Sequence, residues 1–191
     1  MSRHSQFGPR TLARSQAMEL LFQAEANGRT VEEVLDDAYV LADDEELEDY
    51  GRELALGADA MRHDLDLIIR QRSRTWAISH MPAVDRNLLR VALYEMLENP
   101  EVDVAVTIDE SVELAKAFGT DDSPRFVNGL LGRVADDMQE GLDVVQLARE
   151  AAYGKGVEAP AEEGSPELAK EDPDLDPEVP ADEAADEGYE D

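Results

Sequence analysis

The sequence predicts an all-α protein of about seven helices, followed by a disordered acidic tail. Apolar residues recur at helical spacing in nearly every segment, and the β-branched alternation typical of strands is missing. Residues 158–191 hold fifteen acidic residues, one basic residue and almost no large apolar side chain, so burial cannot offset the entropy of ordering them. These observations place a helical domain at residues 10–155, between a flexible basic arm at residues 1–9 and the tail at residues 156–191.

The first two helices have clear start and stop signals. Pro9 precedes the first helix, and Asn27 with Gly28 ends it. Thr30 and Glu33 have the spacing of a capping box, which satisfies two backbone donors reciprocally, so the second helix starts there. One face of the first helix is apolar and consists of Ala13, Ala17, Leu20, Leu21 and Ala24.

A long third helix is predicted over residues 45–73, with Gly51 and Gly57 as weak points in its regularity. Its apolar positions are Leu47, Leu54, Met61, Leu65, Ile68 and Ile69. A short helical turn in residues 75–82 is expected to bury Trp76, the only tryptophan. The later helices are predicted at residues 83–99, 104–119, 123–138 and 142–154.

The helix that follows residue 122 combines strong start signals with a weakening residue. Ser123 is placed to cap it and Pro124 favours its first turn, yet Gly129 costs roughly 1 kcal/mol relative to alanine. We expect Gly129 to admit a closely packed neighbour, while Asn128 satisfies backbone groups of a nearby loop. On this hypothesis Gly129→Ala destabilises the fold more than helix propensity suggests.

The charge and composition exclude several kinds of site. The formal net charge is −29, which argues against a broad nucleic-acid-binding surface, although the first 18 residues hold three arginines and no acid. No cysteine is present, so disulfides, thiolate metal sites and a cysteine nucleophile are excluded. No apolar run approaches the roughly 18 residues of a membrane span, and a cytoplasmic protein is expected.

No catalytic, metal or cofactor site is predicted. The histidines His4, His63 and His80 are scattered, and the sequence contains no Walker loop, no Gly-rich dinucleotide turn and no GxSxG motif. His63 and Asp64 are sequence neighbours and are expected to point to different sides of a helix. We therefore predict a binding module rather than an enzyme.

Three places are candidates for binding. At the amino terminus, arginines can pair with phosphate or stack on bases, although a solubilising terminus explains them equally well. At the end of the long helix, cations suit RNA but also the helix dipole. At the start of the helix near residue 123, free N–H groups and an aromatic side chain suit RNA, the alternative being an ordinary cap. In chain order these places contain Arg3, His4, Arg10 and Arg14; Arg70, Arg72 and Arg74; and Asp121, Asp122, Ser123, Arg125 and Phe126.

Four blocks of the sequence are characteristic of one family. They read "ARSQAMELLFQAE", "LLRVALYEM", "IDESVELAKAFG" and "FVNGLL". With them, residues 10 to about 140 closely resemble the NusB family of bacterial transcription antitermination factors. The resemblance implies an all-helical fold of two helical subdomains, and the tail has no counterpart in the common pattern.

The resemblance implies an adaptor with no reaction of its own. In the family, NusB pairs with NusE, a small-subunit ribosomal protein, and the pair binds boxA RNA. Together with RNA polymerase and the other Nus factors, the pair supports antitermination of ribosomal RNA operons. The matching RNA-binding positions are Arg10, Arg14, Asp122 and Phe126, with Arg3 and His4 loosely alignable, and the NusE-facing positions are Phe22 and Asp85.

Other functions remain open at this point. An acidic helical scaffold with weak or lost RNA binding is the main alternative, because Thr11 and Leu12 replace part of the family's arginine run. NusB-like domains also precede ribosomal RNA cytosine methyltransferases, but that chemistry needs a cofactor domain and a cysteine, and this chain has neither the length for such a domain nor any cysteine. The acidic tail either competes with RNA or only aids solubility. A homodimer is left open, since apolar helix faces serve cores and interfaces alike.

Overall fold

Helices account for nearly all regular structure in the computed structural model, which describes residues 7–37, 46–73 and 77–154. In these ranges there are eight α-helices, one 3-10 helix and no strand, all within the contact unit Met1–Pro160, so the all-helical class is confirmed. The expectations for Arg3, His4, Arg74, Trp76 and the tail lie outside the described residues. The α-helices are α1 (Pro9–Asn27), α2 (Val31–Asp36), α3 (Asp49–Ala60), α4 (Arg62–Arg72), α5 (Ala83–Glu98), α6 (Val104–Phe118), α7 (Ser123–Gln139) and α8 (Val144–Tyr153).

The first two helices follow their sequence signals. All five apolar residues expected on the inner face of α1 are buried, and Gly28 ends the helix in the left-handed conformation at φ 63°. At α2, Thr30 accepts a hydrogen bond from the Glu33 amide, and the Glu33 side chain accepts one from the Thr30 amide. The predicted capping box is therefore confirmed.

The predicted long third helix is two helices, α3 and α4, that meet at Met61, which has φ −95° and ψ 9°. The two helices pack on different neighbours, α3 against α1 and α4 against α8. Two glycines of α3 allow close packing: an added Cβ on Gly51 would lie 2.8 Å from the Ala13 carbonyl oxygen on α1, and one on Gly57 would lie 2.0 Å from the Tyr94 ring on α5. Apolar periodicity runs through both helices and does not mark the break.

The hydrophobic core is organised around α5, which contacts α1, α3, α4, α6 and α7. One cluster of buried side chains runs through these helices, so the two subdomains implied by the resemblance share a core. Its largest fully buried members include Leu20, Leu54, Ile68, Leu89, Leu93, Leu114 and Leu130.

Two expectations for α7 are wrong. The Ser123 side chain is not the helix cap: it is buried inside the first turn and bonds to other groups. Gly129 does not admit a close neighbour, because an added Cβ would meet only Arg133 Nη1, at 3.7 Å. Asn128 is exposed. The glycine is thus a local weakness of α7, and the stability effect expected for Gly129→Ala changes sign.

The remaining elements close the fold. The expected helical turn near Pro82 is a 3-10 helix, Ile78–His80, that buries Ile78. The expected weak last helix is α8, which packs against α4. None of the helices in the described ranges combines the length and apolar character needed to cross a membrane.

Candidate nucleic-acid interface

The start of α1 carries one exposed cation above an aromatic ring. Arg10 is exposed, and its guanidinium carbon lies 5.1 Å from the ring centroid of Tyr50, on α3. A guanidinium at this distance is attracted by the negative face of the ring. The contact with Tyr50 therefore favours one position of the Arg10 side chain at the surface.

Arg14, expected to contact RNA, lies in the interior and is 2% exposed. Its Nε donates to both carboxylate oxygens of Glu95, at 3.0 and 2.9 Å, and Glu95 is fully buried on α5. Burial follows from helical spacing, because Arg14 sits beside Ala13 and Ala17 on the inner face of α1. The RNA role of Arg14 stays a prediction, and its observed contacts anchor α1.

Glu95 is the centre of a buried polar cluster, which we call the Glu95 cluster. Besides Arg14, Thr107 donates to Glu95 Oε2 at 2.6 Å, and the Tyr50 hydroxyl donates to Oε1. Burial and the carboxylate of Glu95 raise the pKa of Tyr50. The phenol consequently stays protonated at neutral pH and keeps its donor role. The cluster ties α1, α3, α5 and α6 together beneath Arg10.

Two contacts link the start of α1 to α6 and so to the loop before α7. The rings of Phe7 and Phe118 lie 6.1 Å apart at an angle of 40°. One helical turn further along α1, the Thr11 hydroxyl donates to Glu110. Phe118 is the last residue of α6, so the entrance to α1 lies beside the loop that leads to α7.

That loop is fixed by Ser123. Its Oγ accepts a hydrogen bond from the Thr120 amide and donates one to Asp85 Oδ2 on α5, both at 2.8 Å. An added Cβ on Gly119 would lie 2.5 Å from Ser123 Oγ, so the tight turn needs glycine there. Asp122 is exposed and Phe126 is half-buried against the core. The predicted pair thus sits on a rigid turn, with Asp122 at the surface.

Asp85, expected to face a partner protein, is fully buried. Its Oδ1 has no hydrogen-bond partner among the described residues, and Ser123 is the partner of Oδ2. Burial raises the pKa of Asp85, and the hydrogen bond from Ser123 offsets only part of this effect. A direct partner contact by Asp85 stays a prediction, and the observed geometry makes it a support for the loop before α7.

Phe22, the other residue expected to face a partner, is exposed at 41% on α1. Below the same helix lies a second buried polar cluster, which we call the Arg90 cluster. Arg90 donates to both oxygens of Asp66 at 2.8 Å and lies 3.2 Å from Glu25, which also accepts from Arg86 and Asn87. The Phe22 ring therefore projects from a part of α1 that Glu25 joins to the Arg90 cluster.

Both ends of α4 are tied to other helices. Arg72 pairs with Asp137 on α7 at 2.5 Å, and Arg70 is exposed. His63 and Asp64 both bond to α8, to Tyr153 and Arg149, so the expectation that they point to different sides is wrong. No group of three metal-ligating side chains occurs in the parts of the chain that the structure describes.

Sequence reasoning missed Tyr50 and Glu95, which build the support for Arg10. A signal for Glu95 was present, since it follows Leu88 and Ala92 on the apolar face of α5 at helical spacing. A charged residue on a buried face needs a partner, and Arg14 has the matching position on α1. Tyr50 carries no local signal, because its role depends on the crossing of α1 and α3.

The fold and this surface define a helical binding module with a cation–aromatic patch on a rigid polar base. The NusB family model matches residues 11–136, and the chain belongs to the NusB family. It is a transcription antitermination factor by this membership, and the family is not one of enzymes.

Individual proteins agree with this assignment. The transcription antitermination protein NusB of Carboxydothermus hydrogenoformans is 49% identical over 96 residues, which cover 50% of this chain and 67% of that protein. A T. maritima NusB structure matches with a TM-score of 0.58 and 31% identity, covering 68% of this chain and 92% of that one. A solved complex of the antitermination factors NusB and NusE with dsRNA matches with a TM-score of 0.55 and 23% identity, covering 71% and 98%. This last likeness supports the fold alone.

Proposed function

We propose that this chain binds boxA RNA together with NusE and supports antitermination of ribosomal RNA operons. Its working partners on this proposal are RNA polymerase and the other Nus factors, in the cytoplasm. The observation that carries the proposal is the exposed Arg10 held above Tyr50, beside the loop that presents Asp122 and Phe126. A cation and an aromatic residue on neighbouring rigid elements suit the phosphates and bases of single-stranded RNA.

The charge balance explains why a partner would be needed. The chain has a formal net charge of −29, so phosphate is repelled at long range and RNA affinity must come from the local patch. In the described residues near this patch, Arg14 is neutralised by Glu95, while Arg10 and Arg125 are exposed. We expect modest affinity for RNA alone, and NusE would add cationic surface.

Phe22 is the proposed contact for NusE. An aromatic side chain exposed at 41% on a braced helix is a typical anchor for a partner protein. A protein that shares the fold has been solved with NusE and dsRNA, and the proposal carries that pairing over to this chain. Phe22→Ala should therefore weaken NusE binding while thermal stability changes little, because the ring is largely outside the core.

The test is a fluorescence-anisotropy titration of labelled boxA RNA and a scrambled RNA, with and without NusE. We expect a preference for boxA that strengthens with NusE, and a loss of affinity in Arg10→Ala. Arg29→Ala is the matched control: it removes one partly exposed arginine just beyond the opposite end of α1, where Arg29 pairs with Asp37. Equal and weak binding to both RNAs, whatever NusE does, would overturn the proposal.

The acidic scaffold remains the second candidate, and the burial of Arg14 favours it because fewer cations are left for RNA. The two candidates differ in their response to Arg10. A scaffold would show the same RNA binding in wild type, Arg10→Ala and Arg29→Ala. Analytical ultracentrifugation of the same samples would also show whether a homodimer forms.

A further inference from the structure

We propose that Arg10 and Tyr50 form a stacking platform for an unpaired RNA base, with the base lying on the outer face of the Arg10 guanidinium. The inference rests on the proposed RNA-binding function and adds the kind of contact that RNA makes. It assigns a supporting role to Tyr50, which the family motifs do not include. It also assigns a role to the planar shape of the Arg10 guanidinium, in addition to its charge.

The geometry of the pair places a cation over an aromatic ring. The guanidinium carbon lies 5.1 Å from the Tyr50 ring centroid, so the guanidinium sits over the ring. Arg10 is nevertheless exposed, whereas Tyr50 is half-buried against the core. The arginine is therefore the outer member of the pair, and its guanidinium is open to solvent.

The lower layer of the platform is held in place by hydrogen bonds at the far end of the ring. The Tyr50 hydroxyl donates to Glu95 and accepts from Asn99 Nδ2 at 3.1 Å. Glu95 is in turn held by Arg14 and Thr107. A ring fixed in this way keeps the guanidinium plane oriented before RNA arrives, which lowers the ordering cost of binding.

The polar edge of Arg10 is also left available. Within the described residues Arg10 makes no hydrogen bond or ion pair to a carboxylate, in contrast to Arg14 and Arg29. A planar guanidinium can stack on a base and donate from its edge at once, while a lysine ammonium has no plane to stack. Bases in a duplex are already stacked on each other, so the platform should favour single-stranded RNA.

The experiment compares Arg10→Lys, Arg10→Ala and Tyr50→Leu in the presence of NusE, using boxA RNA as a single strand and as a duplex. Loss of one stacked base corresponds to roughly ten- to hundredfold weaker binding. We expect Arg10→Lys and Tyr50→Leu to lose about tenfold on the single strand and little on the duplex. A scan of the single strand with abasic positions should find one position where wild type and Arg10→Lys bind equally.

Salt dependence separates stacking from a phosphate contact. If Arg10 binds only phosphate, Arg10→Lys keeps the affinity, and Arg10→Ala reduces the slope of log K against log salt by about 0.7. That result would overturn the platform. Arg29→Lys is the matched control for the conservative change. Thermal melts identify any variant that fails to fold, and because Arg10 is exposed, Arg10→Lys carries the test if Tyr50→Leu unfolds.

The outcomes distinguish this inference from the proposed function. A boxA preference that NusE strengthens, with Arg10→Lys equal to wild type, would overturn the platform and keep the function. Equal binding to boxA and scrambled RNA, with both weakened by Arg10→Lys, would support the platform and overturn the boxA assignment. Absence of binding to any RNA would overturn both.

Discussion

The Glu95 cluster and the Arg90 cluster are both buried acid–arginine groups on α5, but they differ in how their charges are shared. In the first, one carboxylate receives the donors of Arg14, Tyr50 and Thr107, and the second nearby acid, Glu110, is 3.8 Å from Arg14. In the second, Arg90 reaches both Asp66 and Glu25. A cluster with one centre holds its members tightly but has no substitute when that centre is removed.

Breaking each cluster at its acid should give the largest effect. Glu95→Gln leaves the buried Arg14 without a counter-charge within hydrogen-bond distance, and we expect a loss of about 3–5 kcal/mol in the free energy of unfolding. Asp66→Asn should cost about 1–3 kcal/mol, because Arg90 keeps Glu25. Urea denaturation at neutral pH measures both. A larger loss in Asp66→Asn than in Glu95→Gln would refute the distinction.

The two clusters should also differ in how their loss affects RNA affinity. Glu95→Gln releases the Tyr50 ring and with it Arg10, so affinity for single-stranded RNA should fall between about two- and tenfold. Asp66 belongs to the Arg90 cluster, which reaches α1 through Glu25 and not through Tyr50. The Asp66→Asn variant should therefore bind RNA like wild type. The titration is run at low temperature, with circular dichroism showing that both variants are folded. Equal losses would mean that general destabilisation, not positioning, controls binding.

The pH dependence of stability sharpens the comparison through Glu25. Burial opposes the charge of Glu25, but Arg86, Arg90 and Asn87 more than offset it, so its pKa is lowered from the ordinary 4.5. Glu25 therefore contributes stability at pH values above about 4.5 that is lost as the pH falls through its folded pKa. Glu25→Gln should be less stable than wild type at neutral pH and lose this deficit in acid.

Asp85 should show the opposite sign. Burial raises its pKa above the ordinary 3.8, so the ionised carboxylate destabilises the fold at neutral pH and this cost is relieved as the pH falls through the folded pKa. We expect Asp85→Asn to be more stable than wild type near neutral pH, with the difference shrinking toward about pH 4. Urea denaturation across this range measures it. A pH-independent difference would contradict this explanation.

The smallest change in stability is expected for Gly129→Ala, a position outside both clusters, and it gives the baseline for the cluster variants. Gly129→Ala should raise the free energy of unfolding by up to about 1 kcal/mol, because the new methyl group meets only Arg133 and the helix gains propensity. Gly57→Ala is the contrasting variant and should destabilise, since its Cβ would overlap the Tyr94 ring. Thermal denaturation of the two variants side by side would expose any error in the packing of α3 or α7.

The sequence predicted those features that depend on local patterns. The inner face of α1 and the capping box at Thr30 are encoded within a few residues, and both were found. The break at Met61 was missed because apolar spacing continues across it, while the two helices on either side pack on different neighbours, α1 and α8. Helix packing is a property of distant residues and leaves little trace in a local window.

The candidate site was predictable by residue type but not by exposure. Arg10 and Arg14 are both basic residues of one helix, yet one helical turn places the first at the surface and the second beside Glu95. Their surroundings depend on α5 and α3, so a sequence pattern on α1 cannot separate them. The same holds for Asp85, whose burial results from the return of the chain at Ser123.

The contacts of α1 also constrain the order in which the fold can be completed during synthesis. This helix leaves the ribosome before α5 and α6, but Thr11 bonds to Glu110 and Arg14 to Glu95, at sequence separations of 99 and 81 residues. A nascent chain that ends before Glu95 has an Arg14 without its buried counter-charge, and non-local contacts of this kind form late. Although α1 is made before α5 and α6, it thus completes its native contacts only after both have emerged, and the Arg10 surface forms no earlier.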